Sequence, residues 1–209
     1  MIYLQVGLYA EGKNDYDFLL PLLERLLDDL LAQYYPGQST ALPSPLPLGS
    51  DEEPGTRREA RIAEVIQRSH ETCQLFVIHA DADGDAIRAR NERVEPGVRR
   101  GLAGLANVAA AACIPIHMIE AWMLVDDAVL RRLGGDAPEL PLDPERVRDP
   151  KQVLDRILDA RRRRRPDVYQ FVGANVRLSA LRRLPGFRVF EDELVVALQA
   201  IVRPGSPGM

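Results

Sequence analysis

The chain has 209 residues, of which 46% are hydrophobic and 28% charged, a composition that favours a folded globular protein over a disordered one. Two cysteines are too few for a disulfide scaffold or a cysteine-based zinc site, and no apolar stretch reaches the ~18 residues that a membrane span needs. The formal net charge of −4 is unevenly distributed, since residues 1–149 carry −10 and residues 150–209 carry +6. We therefore expect a cytoplasmic protein without a signal peptide or membrane contact, in which any basic surface is local.

The first part of the chain alternates between predicted strands and helices. Strands are predicted at 2–9, 73–80 and 114–119, and helices at 15–35, 57–71, 96–112 and 120–133. Residues 36–56 hold five prolines and are predicted to form a loop, in which a short edge strand near 41–48 is hard to identify. Further helices are predicted at about 150–164, 174–184 and 188–202. This order predicts an α/β fold with a mostly parallel sheet of about four strands flanked by helices. We expect an α/β domain at 1–135 and a helical C-terminal extension at 136–209 packed on it.

Acidic residues follow two of the predicted strands. Glu11 comes just after the first strand, and Asp81, Asp83 and Asp85 follow the strand at 73–80. Because the carboxyl ends of parallel strands lie at one edge of a sheet, these side chains can meet there. Clustered carboxylates repel one another unless a cation lies between them, and oxygen ligands favour Mg²⁺ or Mn²⁺. The pattern predicts a metal site, and the alternative is a solvated acidic turn.

Other motifs near these residues fit less well. The spacing from Asp81 to Glu92 matches a calcium-binding EF-hand loop in part, but Ala86 stands where that loop needs glycine. Lys13 follows Gly12, but the glycine spacing of a phosphate loop is absent, so we do not expect this chain to hydrolyse ATP itself. Of the three histidines, His79 stands out because it lies two residues before Asp81.

The strand followed by Glu11-Gly12 and the strand followed by Asp81-Ala82-Asp83 resemble the Toprim domain, which occurs in topoisomerases, primases and overcoming-lysogenization-defect (OLD) nucleases. The segments 7–12 (Gly-Leu-Tyr-Ala-Glu-Gly) and 119–126 (Ile-Glu-Ala-Trp-Met-Leu-Val-Asp) are similar to those of small bacterial Toprim-like proteins of the DUF4276 type. The similarity covers about residues 1–130. It implies a Toprim/Rossmann-like fold.

The resemblance also implies roles for individual residues. Glu11 corresponds to the Toprim glutamate, a general acid/base or metal ligand, and Asp81 and Asp83 correspond to the pair that binds Mg²⁺. Asp85 extends that pair, and Glu120 of the Glu-Ala-Trp motif completes or flanks the metal site.

Two residues of the same segment are predicted to be structural. On an ideal helix Glu120 and Asp126 lie ~240° apart, so we expect Asp126 to be a cap or structural residue. Trp122 is expected in the core.

The resulting functional prediction is a Mg²⁺- or Mn²⁺-dependent phosphodiesterase that acts on nucleic acid, a nuclease for which the resemblance suggests anti-phage defence. Lys13 and a run of five arginines are the candidate phosphate-binding residues, the run being Arg161, Arg162, Arg163, Arg164 and Arg165. Two alternatives remain open. One is a subunit that depends on an ATPase partner of the AAA or ABC type, and the other is a metal-dependent phosphatase or nucleotidyl transferase with a small substrate. The sequence also leaves open whether the chain forms a homo-oligomer.

Overall fold

The computed structural model is an α/β fold whose main sheet has four parallel strands in the order β4-β2-β5-β6. It describes residues 1–10, 12–49, 57–82, 84–133, 140–161 and 164–202, and for 158–161 the backbone alone. The strands are β1 Ile2–Tyr3, β2 Val6–Tyr9, β3 Thr40–Ala41, β4 Leu46–Pro47, β5 Leu75–His79 and β6 Ala109–Cys113. The α/β prediction with a mostly parallel sheet is confirmed.

Helices lie on both faces of this sheet. The α-helices are α1 Lys13–Tyr34, α2 Arg58–Ser69, α3 Ala86–Arg88, α4 Glu95–Leu102, α5 Glu120–Met123, α6 Asp127–Arg132, α7 Pro150–Arg161, α8 Arg165–Asn175, α9 Leu178–Leu181 and α10 Pro185–Ile201. A π-helical segment, Ala89–Val94, joins α3 to α4, and a 3₁₀ turn, Pro144–Arg146, precedes α7. No helix in the described part of the chain combines the length and apolarity needed to cross a membrane.

The strand order creates a topological switch point between β2 and β5. From β2 the chain passes through α1 to β4 on one side, whereas from β5 it passes through α3 and α4 to β6 on the other side. In open parallel sheets the crevice beyond such a point, at the carboxyl ends of the strands, is where ligands bind. The fold therefore places the segments after Tyr9 and His79 side by side at the position suited to a site.

The two faces of the sheet bury separate apolar clusters. Successive residues of β5 alternate between them, with Leu75 and Val77 against one set of helices and Phe76 and Ile78 against the other. The larger cluster joins α1, α5 and α6 to the C-terminal helices α8 and α10, whereas the smaller one holds α2. Because the larger cluster contains residues from both sides of position 135, the C-terminal helices share the core of the α/β part.

Residues 109–112, an alanine run predicted as the end of a helix, instead belong to the strand β6, so that prediction is wrong. Alanine favours helix only weakly, and tertiary context overrides that preference. Here Ala109 and Ala111 are buried in the larger core cluster, in a strand that pairs along β5 and packs against α10. The strand predicted at 114–119 is wrong as well, since these residues follow β6 without forming a strand.

Several other element boundaries differ from the sequence prediction. The run at 2–9 is two short strands, and the helix predicted at 120–133 is two helices interrupted around Asp126. Helix α1 begins two residues earlier than expected, with Gly12 rather than Asn14 at its N-cap. The segment 165–175 is helical, although the pattern predicted its helix at 174–184. The edge strand near 41–48 is confirmed as β4, whose position at the sheet edge tolerates Pro47.

Asp126 and Trp122 have the structural roles expected of them. Asp126 is fully buried at the N-cap position of α6, and both of its carboxylate oxygens accept hydrogen bonds from the Arg177 guanidinium at 2.7 and 2.9 Å. Trp122 is also fully buried and donates its indole N–H to Glu145 at 2.9 Å.

Candidate functional site

A pocket of about 310 Å³ opens at the switch point between β2 and β5. It collects side chains from the first turn of α1, the segment after β5, the start of α5 and the start of α7. The lining residues are Gly12, Lys13, Asn14, Asp15, Asp81, Met118, Glu120 and Lys151. Three carboxylates and two ammonium groups therefore line one small cavity.

A buried histidine joins two of the carboxylates. The His79 side chain is fully buried, with Nδ1 3.4 Å from Asp15 Oδ2 and Nε2 3.5 Å from Asp81 Oδ1. Burial alone lowers the pKa of His79, but the attraction of the two carboxylates outweighs this effect and raises the pKa to about 9. A charged imidazole therefore lies behind the pocket at neutral pH and offsets the repulsion between the carboxylates.

Asp15 is held in place by the start of α1. The backbone N–H of Gly12 donates to Asp15 Oδ2 at 2.8 Å, which satisfies one of the amides left without a partner at a helix N-terminus. Burial tends to raise the pKa of Asp15, yet the interactions with His79 and with the Gly12 amide lower it overall. Asp15 therefore lines the pocket as an ionised carboxylate whose position is fixed by the Gly12 amide.

Arginines surround the segment that carries Asp81. Arg93, in the π-helical segment, donates to the backbone carbonyl of Asp81 at 3.3 Å. Arg58 of α2 lies close enough to Arg61, Arg93 and Asp81 to feel their charges, and burial together with the like charges lowers the pKa of Arg58. These three partly exposed residues, Arg58, Arg61 and Arg93, are called the arginine cluster below.

Glu120 is the third carboxylate of the pocket lining. It lies at the start of α5, is buried, and accepts a hydrogen bond from the Tyr169 hydroxyl at 2.7 Å. Burial raises the pKa of Glu120, and the hydrogen bond from Tyr169 and the charge of Lys151 only partly oppose this. Burial and the charge of Glu120 in turn raise the pKa of Tyr169, so its hydroxyl remains a donor. The Tyr169 contact fixes the Glu120 carboxylate beside the cavity.

The other residues predicted to bind metal are not part of this lining as far as the structure describes them. Glu11 and Asp83 lie outside the described residues. Asp85 is exposed and caps α3, since its Oδ1 accepts from the backbone N–H of Arg88 at 2.9 Å. Within the described ranges, no three Asp, Glu, His or Cys side chains are close enough together to enclose a metal ion.

The arginine run divides between described and undescribed residues. Arg162 and Arg163, together with the side chain of Arg161, fall outside the description. Arg165 forms an ion pair with Asp155 at 2.5 Å, and the Arg164 guanidinium lies 3.7 Å from Asp167. The positive charges of Arg164 and Arg165 are thus partly neutralised by neighbouring aspartates.

Sequence reasoning included Lys13 but missed three residues around the pocket, namely Asp15, Lys151 and Tyr169. Asp15 had a local signal, because it lies in the first turn of the helix that follows β2. For Lys151 the only signal was its rarity, since it and Lys13 are the only lysines in the chain. Nothing in the sequence pattern connects Tyr169 to Glu120 across 49 residues.

Comparison of the chain with protein-family models, curated proteins and solved structures gave no match.

Proposed function

We propose that the chain is a metal-dependent phosphodiesterase that acts on nucleic acid, with its site in the pocket between β2 and β5. The observation that carries this proposal is the lining of that pocket, where Asp15, Asp81 and Glu120 meet the chain's two lysines at a switch point. Carboxylates are suitable ligands for a divalent cation, and ammonium groups are suitable partners for a phosphate group. The lining therefore matches a substrate phosphate that binds together with a metal ion. The resemblance to Toprim nucleases supports the same chemistry.

The donor chemistry of the pocket fits Mg²⁺ or Mn²⁺. The acidic side chains of the lining offer oxygen atoms only, the ligand type that these hard cations prefer. Asp81 and Glu120 would hold the ion, joined by Asp83 if the Toprim pattern applies. A bound ion of this kind lowers the pKa of coordinated water and offsets negative charge on a phosphate under attack.

The chain's own residues would prepare the site for that chemistry. His79 fixes Asp15 and Asp81 from behind, and Tyr169 fixes Glu120, so the carboxylates need little reorganisation when a substrate arrives. Glu11 remains the proposed proton-transfer residue, on the strength of the resemblance and of its position next to Gly12 of the lining.

The arginine cluster favours nucleic acid over a small phosphorylated substrate. A narrow pocket without basic surroundings would suit a small molecule, whereas Arg58 and Arg93 place positive charge beside Asp81 and Arg61 lies near Arg58. A substrate with further phosphates next to the reacting one can use that charge.

The proposal is tested by incubating the purified full chain with supercoiled plasmid and with single-stranded oligonucleotides, in Mg²⁺, Mn²⁺ or EDTA. We expect cleavage with either metal, none in EDTA, and a rate at least about 100-fold lower for Asp81→Asn, since loss of a metal-binding or proton-transfer carboxylate costs this much or more. Asp127→Asn is the matched control, because Asp127 is an exposed carboxylate on α6 outside this pocket. Circular dichroism of each variant checks its fold.

Two outcomes would redirect the proposal. Full activity in Asp81→Asn and Glu120→Gln would show that the pocket is not the site. A wild-type chain that cleaves nothing alone, but does so when a co-purifying ATPase of the AAA or ABC type is added, would favour the partner-dependent subunit.

A further inference from the structure

The chain's two lysines line the same pocket although 138 positions separate Lys13 from Lys151. Every other basic residue among the 27 is arginine. Lys13 is the first residue of α1 and Lys151 is the second residue of α7, so the fold brings together two helices that are far apart in the sequence. Lysine differs from arginine in being a compact point charge on a flexible stem, which suits a single phosphate group.

Neither lysine is paired with another side chain in the described part of the chain. Both side chains are exposed, and within the described residues neither ammonium group makes a hydrogen bond or an ion pair. The charge of Lys151 nevertheless acts on Asp15 and on Glu120, whose pKa values it lowers. Lys151 is therefore near both carboxylates without being paired to either.

The charges around the pocket leave room for an anion. Asp15 and Asp81 both lie within 3.5 Å of the buried His79 ring, which is behind them and does not line the cavity. In addition, the first amides of the 22-residue helix α1, which lack partners within the helix, lie at the cavity wall with Lys13 and Asn14.

We propose that Lys13 and Lys151 form a clamp that holds one phosphate group at the mouth of the pocket, opposite Asp81 and Glu120. The identity of the anion as a substrate phosphate rests on the proposed function. The clamp itself would exist for free inorganic phosphate as well.

This clamp gives the C-terminal helices a part in binding. Helix α7 begins at Pro150, is capped by Asp149, whose Oδ1 accepts from the Gln152 amide at 2.9 Å, and buries Leu154 in the larger core cluster. Lys151 is thus carried by a helix that the core holds in place. The C-terminal part then supplies half of the phosphate subsite through Lys151, rather than through the arginine run.

The low number of lysines makes a direct test possible. Reductive methylation of the full chain with ¹³C-formaldehyde labels only Lys13, Lys151 and the α-amino group of Met1, and it keeps the positive charge. We expect inorganic phosphate, added in EDTA at constant ionic strength with chloride as the counter-titrant, to shift both lysine signals with one shared midpoint. The exposed Met1 signal is the internal control and should not shift in parallel.

Substitutions assign the signals and test cooperation between the two lysines. Lys13→Arg removes one signal and should keep phosphate binding at Lys151, whereas Lys13→Met should weaken it at least about fivefold through loss of one charge-assisted contact. Arg146→Met, which removes an exposed cation outside the pocket, should leave the midpoint unchanged. Different midpoints for the two lysines, lysine shifts that only parallel the Met1 signal, or no lysine shift across the phosphate titration would overturn the clamp.

The outcome is independent of cleavage activity. A shared midpoint in a chain that cleaves no nucleic acid would support the clamp and contradict the phosphodiesterase proposal. Metal-dependent cleavage that is unaffected in Lys13→Met and Lys151→Met, with no coupled shift of the lysine signals, would support the phosphodiesterase proposal and contradict the clamp.

Discussion

His79 is the residue on which the arrangement of the pocket depends most directly. Its two ring nitrogens face Asp15 and Asp81 from a fully buried position, and no other described side chain contacts both carboxylates in this way. Removing a buried charge from between two carboxylates leaves them to repel each other. His79 is thus a structural counter-charge that permits an acidic pocket.

This role predicts a pH dependence of stability. The pKa of His79 is raised from about 6.5 in the unfolded chain to about 9 in the folded one, so between these values the folded state holds a proton that the unfolded state has lost. The stabilisation is complete below pH 6.5 and is lost as the pH rises to 9, with a slope of up to about 1.4 kcal/mol per pH unit for one proton.

Urea denaturation in EDTA at pH 6, 7, 8 and 9 measures this dependence. We expect the free energy of unfolding of the wild type to fall over this range and that of His79→Gln to change less. His70→Gln is the control, because His70 is solvent-accessible and its Nδ1 lies 2.6 Å from the carbonyl of the nearby Gln67 rather than beside the pocket carboxylates. Parallel pH profiles for the wild type and His79→Gln would contradict the proposed counter-charge.

At the scale of elements, helices α1 and α8 are in close contact. A Cβ atom built on Gly173 would lie 2.2 Å from the Phe18 carbonyl oxygen and 3.0 Å from Pro21 Cγ, so only glycine fits there. Arg25 of α1 also donates to the carbonyls of Gly173 and Val176 at 3.0 and 2.8 Å, which satisfies the C-terminal end of α8. This contact brings Tyr169 of α8 to Glu120.

Gly173→Ala should therefore destabilise the protein, although alanine favours an isolated helix by roughly 1 kcal/mol over glycine. Overpacking against backbone costs about 1–3 kcal/mol, which outweighs that gain. Chemical denaturation measures the change, and Ala174→Gly at the adjacent exposed position supplies the helix-propensity cost alone. A Gly173→Ala protein as stable as the wild type would mean that α8 does not approach α1 this closely.

At the scale of the whole molecule, the charge of the sequence divides the chain into two parts, but the two parts share one hydrophobic core. The predicted boundary at 135 separates an acidic part from a basic one, yet Phe187, Phe190 and Leu194 of α10 belong to the same apolar cluster as Leu75 and Val77 of the sheet. The edge strand β6 is also covered by this helix, whose Glu193 accepts a hydrogen bond from the Ala112 amide at 2.9 Å. The two parts are therefore expected to fold together.

We expect the full chain to unfold in a single cooperative transition, with coincident curves from far-ultraviolet circular dichroism and from the fluorescence of buried Trp122. A fragment of residues 1–135 should not fold by itself, since it lacks the helices that cover one face of the sheet. The fragment's circular dichroism and hydrogen exchange measure this. Two separate transitions, or a folded fragment, would establish two independent domains.

Part of the site could be predicted from local sequence. Strands followed directly by acidic residues placed Asp81 at the sheet edge, whereas Lys13, predicted to lie just before the helix at 15–35, is the first residue of α1. Asp85 lay in the same acidic turn but caps α3, because a carboxylate beside a helix start can serve the backbone as well as a ligand. Sequence spacing alone does not distinguish a carboxylate that caps a helix from one that binds a ligand.

The sequence by itself determined the fold class, the parallel strands and the edge at which the carboxylates gather, because hydrophobic periodicity and the residues that end each strand are local properties. Only the tertiary structure decided that an alanine run would be the strand β6, and that Asp15, Lys151 and Tyr169 would stand around one pocket. These outcomes depend on which strands become neighbours and which helices cover them. That choice is made by packing between residues far apart in the chain, which no local pattern encodes.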